Sequence, residues 1–595
     1  MAFQYKAPQR DMQFVMHDVL GLESLYASLP KFSETNRELI DSIVEAGAQF
    51  CEGELAPINR SGDEEGCHFD NGVVTTPKGF KEAYAKYVEL GFGSLSAEEG
   101  HGGQGLPPTI GIAMSEMMGT ANWSFGMYPG LSHGAINTVE AHGTPEQKET
   151  YLTKLVSGEW TGTMCLTESH AGSDLGLIRT KAEPNADGSY NVTGTKIFIS
   201  AGEHDLAENI IHITLARLPD APKGTKGISL FIVPKFMPDG TRNTVACGSI
   251  EHKMGIKASA TCVMNFDGAK GFLIGPPNRG LNCMFTFMNV ARIGTAVQGL
   301  AAAEGSFQGA LEYARDRTAM RALTGPAAPE QEADPIIVHP AVRQMLLTQK
   351  AFAEGGRLLC YWLSTQTDLL NGSDDADAKK QADDLMSFLT PIAKAFLTET
   401  GYEAANHGVQ VYGGHGFVRE WGMEQIVRDT RIALLYEGTT QIQALDLLGR
   451  KVLQSQGAML RNFTKIVHKF CEANKDNAEM AQFIEPLVAV NKEWGDLTMK
   501  IGMKAMQNPN EAGAAAVDYM MFSGYATLAY LWAWMAQVAQ SKLAAGDGDA
   551  AFYQAKIKTA QFYFQKLLPR TKSHAAIIET GGDVLMQMDS EAFAF

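Results

Sequence analysis

The sequence predicts a multidomain α+β protein with an N-terminal helical domain, a middle β-barrel or sandwich domain, a helical bundle and an extra C-terminal helical domain. Three observations predict this fold class. The chain has 595 residues, several times the length that one hydrophobic core usually occupies. Its composition, 45% hydrophobic and 20% charged, is that of an ordinary globular protein. Apolar residues have helical spacing at both ends of the chain and alternate in the middle.

The domain boundaries follow from where this spacing changes. Segments such as NRELIDSIVEAGAQFCEGEL have apolar residues three and four apart, which predicts helices over 1–160. Segments such as SYNVTGTKIFIS and GISLFIVPKF alternate between turn residues, which predicts the β domain over 161–282. Helical spacing returns over 283–455, the predicted bundle, and over 456–595, the predicted extension. We expect the acidic stretch 371–384 to form a solvated loop inside the bundle.

The charge balance argues against nucleic-acid binding. The formal net charge is −17, so the overall field repels a polyanion. Residues 451–595 hold fourteen basic and fourteen acidic residues, so the C-terminal extension has no basic surplus. We therefore expect no nucleic-acid partner.

One uncharged segment, residues 519–541, is long enough to span a bilayer. It contains Ser, Thr, Gly and Gln side chains and lies between charged amphipathic segments, which favours a buried helix in a soluble bundle. The opening MAFQYKAPQR lacks the apolar stretch and cleavage site of a secretory signal peptide. We expect a cytoplasmic protein without a membrane span.

The eight cysteines are scattered, with no CxxC pair and no cluster of Cys and His residues. This pattern is typical of free thiols and lacks the ligand spacing of a structural zinc site. We expect no metal.

Four short motifs occur in order along the chain: MCLTESHAGSD (164–174), KIFISAG (196–202), QVYGGHGF (410–417) and LLYEGTTQIQ (434–443). Each motif is weak alone, but together they resemble the acyl-CoA dehydrogenases over roughly residues 36 to 450. The opening YKAPQRDMQFVMHDVL, the LDLLGRK that follows the last motif, and the long tail resemble the branch of 3-methylmercaptopropionyl-CoA dehydrogenases.

The resemblance implies an acyl-CoA dehydrogenase-like fold, FAD as cofactor and an acyl-CoA substrate. It also implies an electron-transferring flavoprotein as acceptor. The C-terminal tail of about 140 residues is neutral and rich in apolar residues, which predicts a homodimer whose tail domain occupies the surface that tailless relatives use to form tetramers. Fatty acid β-oxidation or dimethylsulfoniopropionate degradation would be its metabolic setting. The length and branching of the acyl chain, and whether it carries a thioether, are left open by the sequence.

The flavin is expected to bind without a dinucleotide fingerprint, because no GxGxxG follows a strand and no GxxxxGK[ST] occurs. The resemblance places the flavin ring against the β domain, with the Thr167 and Ser200 hydroxyls at its polar edge and Phe198 on the ring. Arg317 would reach the pyrophosphate from the neighbouring subunit, and Gly413 and Gly414 would accommodate the adenosine half. The full set of expected FAD contacts is Met164, Thr167, Ser173, Phe198, Ser200, Arg317, Gln410, Gly413, Gly414, Thr439 and Gln441.

These residues also have ordinary interpretations. Phe198 and Ile199 fit a strand core, and Thr167 fits a turn cap. Arg317 fits a surface ion pair, and Gly413 with its neighbour fits a helix stop. Thr-Ala-Met-Arg follows Arg317 in place of the Lys-Thr-Phe-Gly that is common in the family, which leaves the contacts around it open.

On the substrate side, the resemblance implies contacts with CoA from Ser173, Asn289, Arg292 and Gly438. Asn289 stands where the family usually has aspartate, so it offers a hydrogen bond without charge. For Arg292 a salt bridge within the helical domain is an equally good interpretation.

Glu437 is the predicted catalytic base. An α-proton next to a thioester is weakly acidic, so a carboxylate must be desolvated to abstract it near neutral pH. Gly438 frees the backbone to bring an N–H to the thioester oxygen, while the β-hydride passes to flavin N5. Some family members carry the base just before the residue that Arg292 matches, but here that position is Ala291. The ordinary interpretation of Glu437 is a solvated surface glutamate.

Two other functions remain open at this point. An acyl-CoA oxidase shares the base and the flavin but lets oxygen reach the reduced cofactor. A DNA-associated flavoprotein of the same fold would need a basic C-terminal domain, which the balanced charge of residues 451–595 disfavours.

Overall fold

The computed structural model describes residues 4–546 and 548–594. Helices precede and follow a region of strands, which confirms the predicted fold class. The α-helices are α1 (Gln9–Gln13), α2 (Leu22–Ala27), α3 (Arg37–Phe50), α4 (Ala56–Glu65), α5 (Phe80–Glu89), α6 (Pro108–His142), α7 (Pro145–Ser157), α8 (Gly280–Asp316), α9 (Pro340–Gly372), α10 (Ala376–Tyr412), α11 (Met423–Arg431), α12 (Thr440–Leu445), α13 (Ala458–Asn474), α14 (Ala481–Gln507), α15 (Asn510–Ala545), α16 (Ala550–Phe562), α17 (Arg570–Thr580) and α18 (Asp583–Met586). The strands are β1 (His68–Asp70), β2 (Val73–Thr75), β3 (Trp160–Cys165), β4 (Lys181–Pro184), β5 (Tyr190–Ser200), β6 (Asn209–Ala216), β7 (Ser229–Pro234), β8 (Val245–Ile250) and β9 (Thr261–Ile274).

The chain folds into two compact units. One, here the β unit, comprises residues 4–7 and 38–294 and contains the strands β1 to β9. The other, the helical unit, comprises residues 8–37 and the chain from Thr295 on. The boundaries of the four domains inferred from the sequence stay predictions.

The β unit is built on a mixed sheet of seven strands in the order β3-β6-β7-β9-β5-β4, with β8 on β9. β3 pairs with β6 in parallel, and the other pairs are antiparallel. The long strand β9 pairs with β5 on one edge and with β8 and then β7 on the other. This change of partner lets the sheet fold over an apolar interior that includes Val192, Phe231, Cys262 and Phe266.

The outer face of the sheet is covered by helices. Side chains of β6 and β7, such as Ile213 and Leu230, pack with Ala135 of α6, Leu152 of α7 and Phe287 of α8. All eight residues of β6 are buried, as expected for a strand that is covered on both faces.

Three long helices, α9, α10 and α15, form the centre of the helical unit. Small residues let them approach closely: a Cβ placed on Gly524 would lie 2.1 Å from the ring of Phe396. Trp532 of α15 donates its indole N–H to the carbonyl of Ala351 on α9 at 3.1 Å. The uncharged segment 519–541 lies within α15, and most of its side chains are buried in this bundle. Among residues 4–546 and 548–594, no helix has the combined length and apolar character of a membrane span.

A buried network of ions joins the N-terminal segment to the C-terminal extension. The fully buried Arg357 of α9 pairs with Asp11 and, at 2.8 Å, with Glu304 of α8. Lys556 of α16 pairs with Asp11 and, at 2.8 Å, with Glu354. Burial alone would raise the pKa of Asp11, but the Lys556 ammonium and the Arg357 guanidinium outweigh it and hold the pKa at about 2. The network explains why residues 8–37 belong to the helical unit.

The expected solvated loop over 371–384 is wrong for most of its length. α9 ends at Gly372 and α10 begins at Ala376, so only three residues separate the helices. Asp375 caps α10 by accepting hydrogen bonds from the N–H groups of Asp377 and Ala378, at 2.8 and 3.2 Å. The acidic composition that suggested a loop therefore marks the start of a helix, where carboxylates satisfy free N–H groups.

Arg357→Met should destabilise the protein by about 3–5 kcal/mol, because it leaves Asp11 and Glu304 as buried carboxylates with less compensating charge. The free energy of unfolding in urea measures the loss. Arg343→Met is the matched control, since Arg343 lies on the same helix, is exposed and donates to the carbonyl of Ile337. It should cost no more than about 0.5 kcal/mol. Equal losses in the two variants would show that the network does not stabilise the fold.

Candidate active site

Glu437 lies in a short turn between α11 and α12 and is half-buried. Its φ is 56°, a left-handed conformation that costs a non-glycine residue about 1–3 kcal/mol. Gly438 follows with φ 87°, and a Cβ there would lie 2.7 Å from Nε2 of Gln443. Glycine is therefore required at 438 both by its conformation and by the space available.

The turn is held by hydrogen bonds from three directions. Gln443 donates from Nε2 to the carbonyl of Glu437 at 2.9 Å, and Lys394 donates from Nζ to the carbonyl of Gly438 at 2.6 Å. Thr440 donates its hydroxyl to Glu399 at 2.6 Å. Thr439 caps α12 by accepting from the N–H of Ile442 at 3.3 Å. The carboxyl-bearing residue thus sits on a fixed backbone, as a base needs.

The expected flavin contacts of the β unit meet at the ends of β3 and β5. The Thr163 hydroxyl donates to the carbonyl of Ser200 at 2.5 Å, and the N–H of Ile197 donates to the carbonyl of Thr167 at 2.9 Å. A bulge in β5 lies between Lys196 and Ile199, and Phe198 within it has φ 59°. Phe198 consequently turns outward and is 60% exposed, so it is not part of the strand core.

Beside this bulge, a buried ion pair organises the loop that carries Thr167 and Ser173. Glu168 accepts from Lys196 at 2.9 Å, from the Thr180 hydroxyl at 2.6 Å and from the N–H groups of Arg179 and Thr180 at 2.7 and 2.9 Å. Burial opposes ionisation, but these contacts outweigh it and lower the pKa of Glu168 to about 2. Lys196 also donates to the carbonyl of Leu166 at 3.0 Å.

The remaining predicted residues of the β unit are more open. Ser173 is exposed in the loop after Glu168, and Met164 is half-buried on β3. Asn289 and Arg292 lie three residues apart on α8, so they share one side of that helix. The Arg292 guanidinium lies 5.9 Å from the ring centroid of Phe285. Their position on one helix face is compatible with contacts to one ligand.

In the helical unit, Arg317 is exposed just after α8. Its neighbourhood meets the turn after α10, because the Tyr313 hydroxyl lies 2.9 Å from Nδ1 of His415 and its ring stacks on Tyr412 at 4.1 Å. Gly413 has φ 57°, and a Cβ on it or on Gly414 would meet no atom within 4 Å. The backbone there is open to a ligand, and Gln410 and Gln441 are exposed as well.

Family models match four consecutive stretches of the chain. "Acyl-CoA dehydrogenase, N-terminal domain" matches residues 37–159, the middle domain 163–269, the C-terminal domain 278–453, and "Acetyl-CoA dehydrogenase C-terminal like" 463–589. The "3-methylmercaptopropionyl-CoA dehydrogenase" of Ruegeria pomeroyi is 42% identical over 588 residues, 98% of this chain and 99% of that protein. The chain belongs to the acyl-CoA dehydrogenase family.

Solved structures of this fold agree. The structure of Caenorhabditis elegans ACDH-11 in complex with C11-CoA has a TM-score of 0.79 at 19% identity and covers 99% of this chain and 97% of that one. The acyl-CoA dehydrogenase of Bacillus anthracis complexed with FAD has a TM-score of 0.75 at 21% identity and covers 95% and 92%. The predicted resemblance, the oxidoreductase class and FAD as the cofactor of the family are confirmed.

Sequence reasoning about this acyl-CoA dehydrogenase missed three residues that shape the site: Glu168, Lys196 and Lys394. All three are charged and buried. A signal existed for the two lysines, since each stands at a position where its strand or helix is otherwise apolar, in KIFIS and in PIAKAFL. Charged residues at such positions are buried only with partners, and the partners lie far away along the chain.

Glu168→Gln should destabilise this dehydrogenase by about 3–5 kcal/mol at pH 7, because the Lys196 ammonium stays buried without its counter-charge. The pKa of Glu168 is lowered in the folded state, so its contribution is present above about pH 4.5 and is lost as the pH falls through about 2. The difference between variant and wild type, measured by urea unfolding, should shrink over that range. Glu183→Gln, which removes an exposed partner of Lys181, should have little effect at any pH. A difference that is constant with pH would contradict the assignment.

Proposed function

We propose that this protein oxidises the Cα–Cβ bond of an acyl-CoA thioester to the trans-2-enoyl-CoA, with Glu437 as the base. Dehydrogenation of acyl-CoA is the activity of the family, and the role of Glu437 is the finer proposal. The observation that carries it is the conformation of this residue, half-buried and left-handed in a turn held by Gln443 and Lys394. A solvated surface glutamate has no need of such a turn.

The reaction needs a base and a hydrogen-bond donor, which the chain supplies, and a hydride acceptor, which the cofactor would supply. The Glu437 carboxylate takes the α-proton and ends as the neutral acid. The backbone N–H of Glu437 donates to the thioester oxygen, where negative charge develops as the proton leaves. Bound FAD would supply the acceptor for the hydride that Cβ loses.

The groups that would hold FAD fit its chemistry. The exposed Phe198 ring offers an apolar surface for the flavin, and the Thr167 and Ser200 hydroxyls next to it offer hydrogen bonds. Arg317 offers a bidentate grip on the pyrophosphate. The open backbone at Gly413 and Gly414 suits a close approach of the adenosine half. The proposed set is completed by Met164, Ser173, Gln410, Thr439 and Gln441.

We propose 3-methylmercaptopropionyl-CoA or a fatty acyl-CoA as substrate, with Ser173, Asn289, Arg292 and Gly438 as CoA contacts. Support comes from the 42% identity to the Ruegeria pomeroyi protein of that name. A panel of acyl-CoAs with and without a thioether, assayed with an artificial electron acceptor, tests the substrate. Hydrogen peroxide formed with acyl-CoA in air would instead identify an oxidase. We propose an electron-transferring flavoprotein as the physiological acceptor and the cytoplasm as the location.

We further propose a homodimer in which Arg317 reaches the FAD of the partner. Leu323, six residues after Arg317, is 92% exposed in the single chain, and Phe417, two residues after His415, is 83% exposed. Their segments meet through the hydrogen bond between Tyr313 and His415. Large apolar side chains that are exposed in the single chain are typical of a surface that another subunit covers.

Glu437→Gln should abolish flavin reduction while leaving folding and colour intact. The amide cannot accept the α-proton, so the rate should fall beyond the roughly 10²–10⁴ of a typical general base, since position 291 holds alanine. Anaerobic stopped-flow mixing with acyl-CoA measures the rate. A non-reactive acyl-CoA analogue should perturb the flavin spectrum of variant and wild type alike.

Glu424→Gln is the matched control for this experiment. Glu424 lies in the first turn of α11, and its carboxylate accepts a hydrogen bond from the Arg428 guanidinium at 2.8 Å. Its variant should reduce the flavin within tenfold of the wild-type rate. If Glu437→Gln stays within tenfold, the assignment is wrong; Glu424 is then the next candidate if its own variant is slow, and Asp429 if it is not.

Arg317→Gln should weaken FAD binding about 10-fold to 100-fold, because a charge-assisted hydrogen bond contributes about 1.5–3 kcal/mol. FAD content after dialysis and the dissociation constant for re-added FAD measure the loss. Arg315→Gln, an exposed arginine of the same helix end, should leave binding unchanged. A wild-type protein that sediments as a folded monomer with full FAD occupancy would refute the proposed dimer.

A further inference from the structure

Lys394 is completely buried in the middle of α10, where its neighbours Ile392, Ala393, Ala395 and Phe396 are all buried and apolar. A buried ammonium is costly unless it is paired and hydrogen-bonded. The Nζ of Lys394 donates to the carbonyl of Gly438 at 2.6 Å. The helix therefore carries a desolvated positive charge to the backbone of the turn that holds Glu437.

The two peptide groups after Glu437 are both held by side chains. Gln443 fixes the carbonyl between Glu437 and Gly438, and Lys394 fixes the next carbonyl, between Gly438 and Thr439. Two consecutive positive φ angles, 56° and 87°, lie at this place. Conformations of this kind persist only where surrounding contacts over-determine them. Each peptide plane that is fixed limits the direction in which the Glu437 side chain leaves the backbone.

The two holders come from different parts of the fold. Gln443 is fully buried on α12, a short helix that directly follows the turn. Lys394 comes from α10, a 37-residue helix packed against α9 in the bundle. A hydrogen bond from a charged donor is about twice as strong as a neutral one. Lys394 thus ties the turn to a long, well-packed element.

We propose that Lys394, together with Gln443, is a positioning residue for the dehydrogenation. Its ammonium holds the Gly438 carbonyl and so keeps Glu437 in the left-handed conformation from which it abstracts the α-proton. This inference rests on the proposed function of Glu437. Lys394 acts through the backbone and takes no part in the proton transfer.

The test is Lys394→Met in the FAD-loaded enzyme, since methionine keeps the length and apolar stem and removes the charge. The rate of flavin reduction at saturating acyl-CoA should fall about 100-fold, the cost of a displacement of about 1 Å at a reacting group. The dissociation constant of a non-reactive acyl-CoA analogue should change less than about threefold, because the variant leaves the other proposed CoA contacts, Ser173, Asn289 and Arg292, unchanged. A variant whose analogue binding is lost while its rate at saturation is unchanged would show a merely structural role and overturn the proposal.

Lys451→Met is the matched control. Lys451 also donates to a group on α10, the Ser387 hydroxyl at 2.8 Å, which lies about two helical turns before Lys394. Its variant should keep the wild-type rate within twofold. An equal loss of rate in both variants would overturn the proposal.

Gln443→Met keeps the inference testable if Lys394→Met does not fold. This substitution releases the carbonyl of Glu437, so flavin reduction should slow as in Lys394→Met while analogue binding is retained. If this variant folds and its rate of flavin reduction is unchanged, the proposal is overturned. In the double variant the two losses should be less than multiplicative, because both side chains hold one turn. Rapid flavin reduction by Glu437→Gln would overturn the proposed function and this inference together. If Glu437→Gln reduces its flavin slowly while Lys394→Met reduces it within threefold of the wild-type rate, only the inference is overturned.

Discussion

The buried guanidinium of Arg357 is the constraint on which the helical unit depends. A guanidinium stays protonated in a protein, so a fully buried one must be surrounded by carboxylates. Asp11 and Glu304 supply them from the N-terminal segment and from α8, and Lys556 of the extension then pairs with Asp11. Segments more than 500 residues apart along the chain therefore fold as one body, in which α9 and α10 hold their places.

A buried charged side chain that holds backbone also occurs at two places where the chain leaves regular structure beside predicted site residues. Lys196 is buried next to the bulge that carries Phe198, and it binds the carbonyl of Leu166 and the Glu168 carboxylate. Lys394 is buried next to the Glu437 turn and binds the carbonyl of Gly438. Water is excluded around both ammonium groups, so each binds its carbonyl strongly and each irregular segment keeps one conformation. These irregular segments turn the Phe198 ring outward and place Glu437 in a left-handed conformation, which regular strands and helices do not allow.

Much of the fold was predictable because the spacing of apolar residues along the chain indicates helices and strands. Alternating segments such as SYNVTGTKIFIS became strands, and the uncharged 519–541 became part of a buried helix. The prediction failed at 371–384, where acidic residues were taken for a loop. The side chain of Asp375 caps α10 there, and a cap and a solvated loop share the same composition. The predicted domain boundaries and the roles assigned to individual site residues stay predictions.

The sequence by itself determined the order of helices and strands, the family and the position of the candidate base. Periodicity and short motifs are local, and a motif such as YEGTTQIQ can be read without knowing what lies around it. Only the tertiary structure decided which partners meet the buried charges. The partners Lys394 and Gly438 are 44 residues apart, and Arg357 and Asp11 are 346 residues apart. The cost of burying a charge depends on where the folded chain places its counter-charge, and no local pattern records that place.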